Sequence, residues 1–64
     1  MKQVDEMPTS GQFVAVWEYN GDIWSETYNV ENGIFMGFCH YLDEWKDAPA
    51  SHLEQCNAKY FIAD

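Results

Sequence analysis

The side chains best suited to chemistry in this 64-residue chain form two groupings, Cys39-His40 and His52-x3-Cys56. Four such residues are the inventory of a zinc site, and the i, i+4 spacing of His52 and Cys56 sets both on one face of a helix. Cys39 and His40 are neighbours in a segment that reads as strand, where successive side chains point to opposite faces, so they cannot easily serve one tetrahedral ion. The simpler reading is two thiols packed as small hydrophobes and two surface histidines, with no metal. Cys56 and His52 are also the residue types of a nucleophile and its base. No oxyanion loop or third orienting residue accompanies them, and a thiol is activated in electropositive surroundings that a net charge of −8 does not provide. Asp43 and Glu44 are adjacent, with nothing to separate their pKa values as acid–base work requires. The glycines lack phosphate-loop spacing. These residues predict a protein that is not an enzyme and carries no cofactor.

The elements that must position any site are most legible between Gln12 and Tyr41. QFVAVWEY, Gln12 to Tyr19, is rich in β-branched and aromatic residues and ends at Asn20-Gly21-Asp22, a hairpin signal because Asn and Gly accept positive φ. IWSETYNV, Ile23 to Val30, is a second strand, Glu31-Asn32-Gly33 a second turn, and Ile34 to Tyr41 a third strand. Two registers are open for the first hairpin. A loop of Asn20-Gly21 pairs Trp17 with Trp24 and Phe13 with Tyr28, whereas Gly21-Asp22 pairs Tyr19 with Trp24 and Phe13 with Val30. Both give the same two faces, because directly paired residues share a face. One carries Phe13, Ala15, Trp17, Tyr19, Trp24, Tyr28, Val30 and Phe35; the other carries Val14, Val16, Ile23, Met36 and Phe38.

Both faces are largely apolar, whereas a free antiparallel sheet keeps one face polar and wet, so each needs a cover. Ser51-His52-Leu53-Glu54 has capping-box spacing for a short helix starting at Asp47 or Ser51. KYFIA, Lys59 to Ala63, reads as a fourth short strand or a packed tail. The expected fold is one α+β domain over residues 1–64, an antiparallel meander of three to four strands with one short helix in the C-terminal half. That helix shields one face and leaves the other, the aromatic-rich one, partly open, and exposed apolar surface of that kind marks an interaction site.

Charge narrows the partners. Three lysines and no arginine against 11 acids cannot supply the cation contacts that bind a phosphate backbone or an anionic membrane. No apolar run approaches the ~20 residues of a spanning helix, and MKQVDEMPTS at the N-terminus lacks the apolar core of a secretory signal. A cytoplasmic protein with reduced cysteines is expected, in contact with neither nucleic acid nor membrane. Strong negative charge speeds encounter with a basic protein surface. The candidate partner-binding residues are Trp17, Tyr19, Trp24 and Tyr28 for contact energy and Glu18, Asp22, Glu26, Asp43 and Glu44 for electrostatics. Glu18 and Glu26 fall on opposite faces, so a phosphate-like row of carboxylates does not follow from the pattern.

The stretch from Met7 to Phe35, MPTSGQFVAVWEYNGDIWSETYNVENGIF, resembles small accessory proteins of tailed bacteriophages and prophages, in which a Met-Pro or Leu-Pro and a Gly lead into an apolar strand, a Gly-containing hairpin and a second aromatic strand. The resemblance implies a phage origin, and a non-enzymatic protein that binds and modulates or inhibits a host nucleic-acid enzyme or defence complex, with acidic DNA mimicry as one form of that action. The alternative is a small homodimeric module whose acidity serves only solubility.

Overall fold

The computed structural model describes residues 1–64 as a single antiparallel sheet of six strands with one short helix. The elements are β1 (Lys2–Val4), β2 (Gly11–Tyr19), β3 (Asp22–Glu31), β4 (Ile34–Cys39), β5 (Glu44–Asp47), α1 (Ser51–Gln55) and β6 (Lys59–Ile62). Across the sheet they run β1-β6-β2-β3-β4-β5. The expected meander is β2, β3 and β4, and the expected fourth strand is β6. It inserts between β1 and β2, pairing Val4 with Tyr60 on one side and Ala15 with Tyr60 on the other.

The two Asn-Gly turns fix the register. Asn20 and Gly21 have φ of 52° and 83°, Asn32 and Gly33 have 53° and 77°, and consecutive positive φ values are those of the two-residue turn whose twist matches the strands. Trp17 therefore pairs with Trp24 and Phe13 with Tyr28, the first of the two open registers. Val30 pairs with Phe35 and Asn29 with Met36.

The core lies on the face of Phe13, Ala15, Tyr28 and Val30, joined by Tyr60 and covered by Leu53 of α1 and by Ala50. Met7, from the β1–β2 connection, also packs there. This corrects the expected covering: the aromatic-rich face is the one that α1 shields, and the face of Val14, Val16, Met36 and Phe38 is left without a second layer. The reason is volume. Phe13 stacks on Tyr28 at 5.3 Å between ring centroids and meets Phe35 and Tyr60 edge-on, so the face with the large rings has the most apolar area to withdraw from water.

The helix begins at Ser51, one of the two expected starts, but without the capping box. Ala50 is its N-cap, no side chain caps it, and the Leu53 amide donates to the Ala50 carbonyl at 3.1 Å. Ser51 thus lies inside the first turn. The C-terminal end is better built. Asn57 takes a left-handed φ of 56°, and the Ala58 amide donates back to the Leu53 carbonyl, closing the helix with the six-to-one bond of a Schellman cap. That turn delivers the chain into β6.

Gly37 is buried opposite Tyr28, and a Cβ there would stand 2.8 Å from a Glu26 carboxylate oxygen and 3.1 Å from the Ala48 Cβ. The glutamate can swing away but a branched side chain would also have to displace Ala48. Gly37→Val is expected to cost about 1–3 kcal/mol, read as a lower denaturation midpoint at unchanged slope.

Candidate functional site: an aromatic and acidic end of the sheet

β2 and β3 outrun their neighbours. β6 pairs with β2 only from Val14 to Val16, and β4 pairs with β3 only from Tyr28 to Glu31. The residues beyond, Trp17 to Tyr19 and Asp22 to Trp24, are bonded to each other alone and form a hairpin arm that projects from the sheet. β4 runs back toward that arm, so the loop from His40 to Asp43, which joins it to β5, lies at the same end.

Five of the seven large apolar side chains left exposed gather at this end: Tyr19 at 61%, Ile23 at 69%, Trp24 at 51%, Tyr41 at 94% and Leu42 at 50%. The acids Glu18, Asp22, Asp43 and Glu44 stand exposed among them, and Glu26 is half-buried just behind. Lys46 is matched to Glu44 at 3.1 Å across exposed surface, where such a pair contributes little. Lys59 borders the arm in a shallow cleft lined by Val16, Trp17, Ile23 and Cys56. The end as a whole is therefore apolar rings and aliphatic side chains within a negative rim.

Eight of the nine residues singled out from the sequence meet here. Tyr28 does not. It is 1% exposed, stacked on Phe13, and belongs to the core. Trp17 is half-buried against the edge of the His52 ring at 5.6 Å, so it supports the arm more than it faces solvent. Ile23, Tyr41 and Leu42, outside those nine, also stand exposed at this end. The third strand, expected to run to Tyr41, stops at Cys39 and leaves Tyr41 in the loop. The available signal was the run Leu42-Asp43-Glu44-Trp45, in which an Asp that accepts positive φ precedes an alternating segment; Asp43 has φ 56°.

The cysteines and histidines are dispersed. Cys39 ends β4, the His40 ring packs edge-on to Phe38, His52 packs on Trp17, and the Cys56 thiol donates to the Leu53 carbonyl at 3.5 Å. No group of three or more His, Cys, Asp or Glu side chains is placed to hold a metal ion. No helix is long and apolar enough to cross a membrane.

Burial pushes the Tyr28 hydroxyl up to about 12, with the nearby Glu26 and Cys56 adding to the effect; Tyr60 is raised for the same first reason, with Glu54 and Cys56 behind it. In the unfolded chain Tyr28 ionises near 10, so the folded state holds its proton longer. Its contribution to stability is complete below pH 10 and is lost as pH rises from 10 through about 12. Alkaline unfolding is expected to coincide with the appearance of tyrosinate absorbance, and Tyr28→Phe should flatten the fall of stability over that window.

Comparison with family models, with curated proteins and with solved structures finds no match to this chain.

Proposed function

We propose that this chain is a non-enzymatic, phage-encoded accessory protein that binds a host protein through the aromatic and acidic end of its sheet. The observation that carries the reading is the coincidence, on one projecting arm and the loop beside it, of most of the exposed large apolar side chains with the acids Glu18, Asp22 and Asp43, with Glu44 and Glu26 next to them. Aromatic side chains supply contact energy in protein interfaces, and charged rims steer the encounter and select the partner. A chain of net charge −8 selects a basic surface. A host nucleic-acid enzyme or defence complex offers one where it takes DNA or RNA, and occupation of that surface by the acidic end would inhibit it as an acidic mimic does. The phage origin rests on the resemblance of the stretch from Met7 to Phe35, and the cytoplasm of the host is where such a partner is met.

The test is capture of host proteins from a bacterial lysate on the tagged chain, at low and high salt, beside a Trp24→Ala/Tyr41→Ala double variant. One nucleic-acid enzyme or defence complex retained by the parent chain, weakened by salt and lost with the double variant, is the expected result. Equal retention by the two chains, or retention indifferent to salt, would remove the proposed end of the sheet from the interaction.

A further inference from the structure

The opposite face of the sheet carries a second apolar strip, bordered by Glu18 of the arm, by Lys59 beside Val16 and by Asp47 beside Met36. On it Val14 pairs with Phe61 on one side and with Thr27 on the other, and Phe38 pairs with Trp45. Continuing the β3–β4 register by one residue sets Thr27 beside Phe38. Phe61, Val14, Thr27, Phe38 and Trp45 therefore form one uncharged row across five strands, flanked by Met36 and Val16. Each is half-buried by its neighbours alone, since α1 and every core-covering residue lie on the other side.

We infer that this face is the interface of an isologous dimer, two copies packed sheet on sheet. Three considerations choose a second copy as the occupant. The first is constitutive need: only eight of 64 residues are buried, and a chain this small with a single thin core ordinarily requires oligomerisation or another staple. A copy of the chain is the one partner always present when it folds. The second is charge. The row carries none, so it offers nothing to select the basic partner that a −8 chain attracts, whereas an apolar strip is complementary to itself. The third is area. Six strands at about 4.8 Å spacing make a face roughly 25 Å wide, consistent with the 30 × 26 × 22 Å extents of the molecule. About 20 Å of strand length then gives roughly 500 Å² in projection, and more as accessible surface, approaching the ~800 Å² per partner of a stable interface. Two twisted sheets pack in this way at about −30° with their side chains interdigitated. Tyr19 and Trp24 of the arm point to the helix-covered face and stay outside the contact.

Sedimentation equilibrium across a concentration series tests it, with Thr27→Lys and Met36→Lys as variants that reach water in the monomer and bury a charge in the dimer. The wild-type chain should sediment at twice its 7.5 kDa, and each variant, folded by circular dichroism, should dissociate about 100-fold more readily. A wild-type monomer at all concentrations overturns the inference. So do folded variants that dimerise like the parent, which would assign the contact to the strand edges or the arm. Hydroxyl-radical labelling of the wild-type chain on dilution stands independently of variant folding: Phe38 and Trp45 should gain label as the dimer dissociates, and labelling that does not change with concentration also overturns it.

Discussion

Alanine at Trp24 is expected to weaken binding of the captured host partner by at least about 2 kcal/mol, some 30-fold, while the domain stays folded. Trp24 is half-exposed on the projecting arm, paired across the hairpin with Trp17 and beyond the reach of α1. Its removal opens no core cavity, so the loss falls on the interface. Tryptophan is the residue type most often found to dominate such a contact, because it combines a large apolar area with few rotatable bonds. Titration calorimetry against the partner and a thermal melt of the free variant separate the two effects. A variant that unfolds would return Trp24 to the core, and one that binds as the parent does would leave the arm without an anchor.

The second large effect runs the other way. Phe13→Ala should cost ~3–5 kcal/mol, which matches the whole stability that a core of this size supplies, and most molecules of that variant should be unfolded at room temperature. Phe13 stacks on Tyr28 and meets Phe35 and Tyr60 edge-on, so truncation removes three aromatic contacts at once and leaves a cavity between the sheet and Leu53. Near-ultraviolet circular dichroism would report the lost packing of the aromatic rings. Together the two substitutions divide one sheet face into its parts. Phe13 and Tyr28 lie under α1, and Trp24 and Tyr19 lie past its end.

That division is legible in the residue pattern only in part. Parity along β2 and β3 assigns every side chain to its face, because the two Asn-Gly turns leave little freedom of register, and the observed pairing of Trp17 with Trp24 is one of the two that the turn permits. Parity says nothing about how far along a face the cover extends. Tyr28 and Trp24 share a face and differ in burial only because α1 and β6 stop short of the arm. The direction of covering was equally out of reach, since both faces are apolar and the helix side is decided by which one collects the larger rings.

The two missed strands have their own causes. β1, KQV, is three residues long and exists through its pairing with β6. β5, EWKD, is three charged residues around one tryptophan, a composition that reads as surface loop until Trp45 is seen packed edge-on to Phe38. Charge on such an edge strand also discourages further strands from adding to the sheet. The capping box does not form because Ser51 is the first helical residue and the N-cap position falls to Ala50, whose side chain has no acceptor.

The central claim is that the acids at the end of the sheet steer a basic partner onto its exposed aromatic side chains. The most direct measurement is the association rate of the captured partner with the parent chain and with a Glu18→Lys/Asp22→Lys variant, across ionic strength. Both positions are exposed and neither touches the core, so the fold should persist. The parent should associate fast at low salt and slow steeply as salt rises, and the variant should be at least about 10-fold slower at low salt with a much flatter salt dependence. Equal rates and equal salt slopes for the two chains would contradict the account.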